Sequence, residues 1–192
     1  MNRLRALLAL AAFTFLSACA VLPGTRDDTQ RSAPFDILGR VLVTYNGKSF
    51  TSNVRWLHSA ERDELWLLTP TGQALAHIVD SPTGATLTGA DQTAYHASSV
   101  ESLTQRALGW ELPLTHLQYW VRGAPVPGSK VISQERDNSD RLMKLSQDGW
   151  QVSYTYYVAP EQDGQPRRLD MSNGSNQIRL VIDSWRRESA VP

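Results

Sequence analysis

From Phe35 onward the chain alternates apolar and polar residues with a period of two, the signature of half-buried strands. Ile37, Gly39, Val41, Val43 and Tyr45 fall on one side of the first run, and Leu38, Arg40, Leu42 and Thr44 on the other. Asn46-Gly47 follows, a dipeptide that tolerates the positive φ angles of a two-residue hairpin turn. In the next run Phe50, Ser52, Val54, Trp56 and His58 share one face, while Thr51, Asn53 and Arg55 share a wet one. Further strands are predicted over Glu64–Thr69, Gln73–Asp80, Ala85–Thr88 and Thr93–His96, with turns at Pro70-Thr71-Gly72, Pro82–Gly84 and Gly89–Asp91. Leu65-Trp66-Leu67-Leu68 and Val181-Ile182 are apolar on both faces, which predicts either a cavity lining or a covered outer face.

The period then becomes helical. Ser98 with Glu101 reads as a capping box, Val100, Leu103 and Ala107 share a helical face, and Gly109 is placed to end that helix. A second helix is predicted over Leu114–Arg122, with Pro113 in its first turn and Gly123 beyond its end. Ala124–Lys130 is a Pro/Gly-rich loop. Strands return at Leu142–Gln147 and Trp150–Val158 around Asp148-Gly149, and at Leu169–Ser172 and Gln177–Trp185 around Asn173-Gly174. The fold class expected is mainly β with a few helices: one antiparallel sheet of about ten or eleven strands, curled over a core that two helices help to close.

The N-terminal segment has a different character. Arg3 and Arg5 precede an apolar run from Ala6 to Leu16, too short for a membrane span of about 20 residues and suited to a signal peptide. Leu16-Ser17-Ala18-Cys19 resembles the bacterial lipobox, and Cys19 is the chain's single cysteine. The expected organisation is a cleaved signal over 1–18, a flexible lipid-attached tether over 19–34 and one folded domain over 35–192. Cys19 is expected to carry a diacylglycerol and an N-acyl chain, with no other cofactor. The expected mature chain has seventeen basic and nineteen acidic residues and no basic block, which argues against a nucleic-acid partner.

Candidate chemistry is sparse. His58, His77, His96 and His116 have no metal-ligand spacing, and a lone cysteine makes no thiolate site, so no metal is expected. The chain has no nucleophile elbow, P-loop or dinucleotide fingerprint, and no enzyme is expected. Its six tryptophans supply apolar surface instead.

On particular blocks the chain resembles the LolB family of outer-membrane lipoproteins. These are Phe35-x-x-x-Gly39-Arg40, Leu65-Trp66-Leu67-Leu68-Thr69-Pro70-Thr71-Gly72, the Gly109-Trp110-x-Leu112-Pro113-Leu114 run that continues through Leu117, Trp120, Gly123 and Pro125, Gln147-x-Gly149-Trp150-x-Val152-x-Tyr154, and Ile178-x-Leu180-x-Ile182-x-x-Trp185. The resemblance implies a half-open antiparallel β-barrel closed by a helical lid around an apolar acyl-chain cavity, as in LolA and LolB. It also implies a role: a monomeric receptor takes acylated lipoprotein cargo from the periplasmic carrier LolA and places it among outer-membrane phospholipids. Candidate cavity residues are Val54, Trp56, Leu65, Leu67, Leu103, Leu117, Trp120, Val152 and Tyr154. Family members carry a bulky apolar residue at the tip of the loop joining the third and fourth strands. Here the tip is Thr71, between Pro70 and Gly72, and Leu68 and Leu75 are expected to supply the membrane contact. Ala20, rather than Asp, after Cys19 fits outer-membrane sorting. Two alternatives remain open at this stage: an anchored envelope-binding protein without a cavity, and a carrier of another lipid.

Overall fold

The computed structural model describes residues 34–158, 164–174 and 176–186. The signal, Cys19, the tether up to residue 33 and residues 187–192 of the expected domain lie outside the described residues. Eleven strands form one sheet: β1 (Phe35–Tyr45), β2 (Lys48–His58), β3 (Asp63–Leu68), β4 (Ala74–Ser81), β5 (Gly84–Gly89), β6 (Ala94–Ala97), β7 (Val131–Arg136), β8 (Leu142–Gln147), β9 (Trp150–Tyr156), β10 (Pro166–Asn173) and β11 (Asn176–Arg186). Two helices, α1 (Val100–Leu108) and α2 (Leu114–Trp120), lie between β6 and β7.

The sheet order is β6-β5-β4-β3-β2-β1-β11-β10-β9-β8-β7. Two meanders, β1–β6 and β7–β11, are thus joined along the β1–β11 pair, and every pairing is antiparallel. The free edges are β6 and β7, and the helical connection runs from one to the other. One antiparallel sheet with a helical closure is the architecture the alternation predicted, and its two free edges give the half-open form that the family resemblance implied.

Hydrophobic alternation sets the inner face. Ile37 and Val43 on β1, Val54 and Trp56 on β2, Leu65 and Leu67 on β3, and Ile178, Leu180 and Ile182 on β11 are all buried. Gly39 sits where β1 slips register against β11, and a Cβ there would lie 2.3 Å from the Val181 carbonyl oxygen. Only glycine permits this close approach, which bends the sheet at its central seam. The hairpin expected at Asn46-Gly47 is present, with φ of 48° and 74° at the two residues.

Trp66 and Leu68, on the outer face of β3, resolve the doubly apolar run. Trp66 is covered by its own neighbours: His77 stacks on it at 4.7 Å and the Arg55 guanidinium lies 5.6 Å from its ring centre. This is a covered outer face, and the opposite face of β3 lines the interior.

Three local expectations need correction. The α1 N-cap is Ser99, whose side chain accepts from the Ser102 amide, and not Ser98. Glu101 therefore makes no capping box. Its carboxylate reaches across to α2, accepting from the Thr115 amide (3.2 Å) and hydroxyl (3.0 Å). Strand β7 was not anticipated, because Ile132-Ser133-Gln134-Glu135-Arg136 is exposed along its whole length and carries no alternation. Finally, α2 ends at Trp120 rather than Arg122.

Candidate functional site

The curled sheet and the helical connection enclose an apolar cavity. Its sheet side is formed by Ile37, Val41 and Val43 of β1, Phe50, Val54 and Trp56 of β2, Leu65 and Leu67 of β3, Ile78 of β4, Met171 of β10, and Ile178 and Leu180 of β11. Its helical side is Leu108, Trp110, Leu112 and Leu117. Every lining residue is apolar, and the free space inside is about 40 Å³.

A wider basin of about 290 Å³ adjoins it and shares Val43, Phe50, Leu67, Leu108 and Trp110 with it. The basin also takes in Tyr45, Lys48 and Leu75, so it opens at the barrel end that carries the β1–β2 hairpin and the β3–β4 loop. Three large apolar side chains are exposed around this mouth: Phe50 (40 %), Leu108 (38 %) and Leu75 (36 %). Burying such groups is favourable by about 25 cal/mol per Å². The mouth is therefore a surface that gains by being covered.

Among the expected cavity residues, Val54, Trp56, Leu65, Leu67 and Leu117 are on the lining. Leu103, Trp120, Val152 and Tyr154 are buried but do not line the cavity. Leu103 belongs to α1, which packs on β5 and β6, whereas Trp120 packs toward β8 and β9. Trp120 packs against Trp150 with ring centres 6.0 Å apart, and its indole N–H donates to Gln147 Oε1 at 3.3 Å. Gln147 is fully buried and also accepts from the Val126 amide and donates to the Val126 carbonyl, both at 2.9 Å. Helix α2 thus packs onto the β8–β9 side, and the cavity lies against β1–β4, β10 and β11. Tyr154 belongs to β9. Its hydroxyl has no partner among the described residues, and burial, with a smaller contribution from Tyr156, raises its pKa.

Sequence reasoning missed Ile37, Val41, Val43, Phe50, Ile78, Leu108, Trp110, Leu112, Met171, Ile178 and Leu180 as lining. Alternation marks the inward residues of the strands, but it does not say where packing will leave a gap.

The cavity's floor is polar just behind its apolar wall. Trp56 turns its ring to the cavity and donates its indole N–H to Asp63 Oδ1 at 2.6 Å, and His58 Nδ1 bonds the same oxygen at 2.8 Å. Phe35 stacks on His58 (4.8 Å) and meets Trp56 edge-on (4.9 Å). The end opposite the mouth is sealed by these contacts.

The β3–β4 loop stands beside the mouth. The Thr69 amide donates to the Gln73 carbonyl (2.8 Å), the Gly72 amide to the Thr69 carbonyl (2.9 Å), and Gly72 takes the required positive φ of 86°. Residues Pro70–Leu75 are exposed, Thr71 at the tip among them, and Leu68 is half-buried. At the loop's base the Ser52 hydroxyl bonds both the amide and the carbonyl of Leu68.

Among the described residues no cluster of His, Cys, Asp or Glu could hold a metal ion, and no helix is long and apolar enough to cross a membrane.

Comparison with known proteins agrees with this geometry. The LolA superfamily protein from Nitrosomonas europaea superimposes with a TM-score of 0.51 at 8 % identity, over 83 % of this chain and 87 % of that one, a likeness of fold. The outer-membrane lipoprotein LolB of the same organism is 38 % identical over 159 residues, 81 % of this chain and 74 % of that protein. The LolB of Azoarcus sp. (strain BH72) is 35 % identical over 188 residues, 96 % of both chains. The family profile described as outer membrane lipoprotein LolB matches residues 33–185, and the chain belongs to that family.

Proposed function

We propose that this protein is an outer-membrane receptor that accepts acylated lipoproteins from the carrier LolA and inserts them into the outer membrane. Membership of a family of outer-membrane lipoproteins that serve transport and not catalysis supports the general role. The observation that carries the specific reading is the wholly apolar cavity opening through a mouth ringed by Phe50, Leu75 and Leu108.

No covalent chemistry is needed. Each buried CH₂ of an acyl chain is worth about 0.8 kcal/mol, so exposing three chains to water would cost tens of kcal/mol. A relay between two apolar pockets avoids that exposure, and its direction follows their relative affinities. The receptor works as a monomer, anchored by acyl chains on Cys19. The β3–β4 loop reaches the bilayer through Leu68, Pro70, Thr71, Gly72 and Leu75, with the apolar neighbours compensating for the threonine at the tip.

A fluorescent long-chain fatty acid tests the reading. It should bind, and a triacylated lipopeptide should displace it. Binding without displacement would favour a carrier of another lipid, and no binding would favour an envelope-binding protein.

A further inference from the structure

The two free edges of the sheet are not alike. Edge β6 is covered by α1, which packs on β5 and β6 and whose Arg106 donates to the His96 carbonyl at 2.5 Å. Among the described residues edge β7 has no such cover, and no backbone hydrogen bond outside its ladder with β8 involves Val131–Arg136. Alternate residues of an antiparallel strand turn their N–H and C=O groups away from the partner, so β7 presents a row of unpaired donors and acceptors. Ile132 to Arg136 are exposed, and Ile132, at 66 %, sets a large apolar side chain beside that row.

Such an edge recognises main chain rather than side chain. Its charged groups are already engaged: Glu135 pairs with Lys144 at 2.9 Å, and Arg136 donates to the Asp140 carbonyl at 2.7 Å. The register against β8 is regular over Ser133, Gln134 and Glu135 and shifts on either side. A short, interrupted edge with charges at its end resists the long flat pairing of two identical copies. It still offers a few residues of ladder to an extended peptide. The edge also begins at the mouth. Ladder pairs carry the mouth end round the sheet, from Thr44 to Gln177, then to Ser172 and Gln151, and the Asp148-Gly149 turn at that end leaves Gln147 opposite Val131.

We propose that β7 receives the peptide that follows the acylated cysteine of the cargo, adding it to the sheet as one more strand while the acyl chains occupy the cavity. The proposal rests on the acyl-chain reading above and assigns a place to the protein part of the same cargo. Lipoproteins that pass through one receptor differ in sequence. What they share is acyl chains, a cysteine and a peptide backbone, and strand addition reads the backbone. With the acyl chains held at the mouth, the residues after the cysteine emerge at the end where β7 begins. Polar side chains of that peptide remain in water, because β7 is exposed along its length.

The test uses the full chain in lipid nanodiscs, with empty nanodiscs subtracted. A fluorescent long-chain fatty acid is displaced either by a triacylated cysteinyl peptide whose tail covers the six residues of β7 or by the same lipopeptide cut after its second residue. The long lipopeptide should bind about tenfold more tightly than the short one, as expected for a few main-chain hydrogen bonds offset by ordering of the tail. N-methylation of the tail amides should remove that gain and leave the short lipopeptide unaffected. Amide hydrogen exchange locates the contact: the long lipopeptide should protect alternate amides of Val131–Arg136, and the fatty acid should leave them exchanging. Equal binding of long and short lipopeptides, or a gain that survives N-methylation, overturns strand addition and leaves the acyl-chain reading standing. Protection of β7 by the empty carrier, or on concentrating this protein alone, also overturns it and assigns the edge to the carrier or to a second copy. Failure of every probe to bind overturns the acyl-chain reading, and strand addition with it.

Discussion

The two ends of the barrel are built on opposite principles. At the closed end aromatic rings are locked by polar partners: Trp56 and His58 share Asp63, and Tyr156 donates to the Leu142 carbonyl at 2.7 Å. Burial pushes the Tyr156 hydroxyl up to about 12, so it remains a neutral donor at any physiological pH. At the mouth, Phe50, Leu75 and Leu108 are exposed and have no such partners. Stability is concentrated at one end, and the other is left free to be covered by something else. An end whose aromatic rings are held by polar partners gains little from a further partner, whereas an end with uncovered apolar surface gains by being covered.

The comparison predicts that mutations at the two ends separate stability from function. The largest effect is expected from Asp63→Ala, which orphans the Trp56 indole N–H and the His58 ring. Losing both partners should cost about 2–4 kcal/mol and lower Tm by about 5–15 °C, with fatty-acid affinity nearly unchanged in the folded protein. Asp63→Asn keeps an acceptor and should lose less. Thermal melts and a binding titration on the same samples check this, and a loss of affinity without a loss of Tm would break the comparison.

At the mouth the reverse is expected. The double variant Leu75→Ser, Leu108→Ser should melt within about 2 °C of wild type. It should bind phospholipid vesicles about ten- to thirtyfold more weakly, since two half-exposed side chains no longer enter lipid. Vesicle co-sedimentation reads this directly. A further, smaller step concerns the loop tip. Thr71→Leu should leave delivery to vesicles equal or faster, and Thr71→Glu should slow it several-fold without changing uptake from the carrier. Equal delivery by all three proteins would remove the loop from the bilayer contact.

How much of this was legible in the sequence differs between the two ends for a physical reason. The sheet was readable because alternation and the Asn46-Gly47 and Asp148-Gly149 turns are local signals. The exposed edge strand β7 was not, since a strand with no buried face leaves no pattern. The capping serine was misplaced by one position because Ser98 and Ser99 are chemically alike, and only backbone geometry chooses between them. Strand alternation puts Val54 and Trp56 on the inward face, where the structure has them buried beside the candidate cavity. Val152 and Tyr154 obey the same alternation yet face a half of the barrel that Trp120 and Gln147 fill. Whether an inward residue meets a gap or a neighbour depends on side chains distant in sequence.

The smallest effect expected is electrostatic. Asp80 pairs across strands with Asp63, and its pKa is raised, first by burial and then by the charges of Asp63 and Glu101. The folded state therefore favours its neutral form. That contribution is complete below the ordinary aspartate pKa of about 3.9 and is lost as pH rises through the raised folded value. At neutral pH the charged group opposes folding, so Asp80→Asn should raise Tm by about 1–2 °C at pH 7 and by nothing near pH 3. An equal gain at both values would assign the effect to packing rather than charge.

The central claim is that the apolar cavity is a station in lipoprotein transfer. The most direct measurement mixes purified LolA, loaded with a triacylated lipoprotein, with this protein and then with outer-membrane lipid vesicles, following the cargo by co-purification. The account predicts that cargo leaves the carrier for this protein and then appears in the vesicles, and that a folded Val54→Asn, Leu117→Gln variant accepts far less. Cargo that stays on the carrier, or moves equally well to that variant, would contradict it.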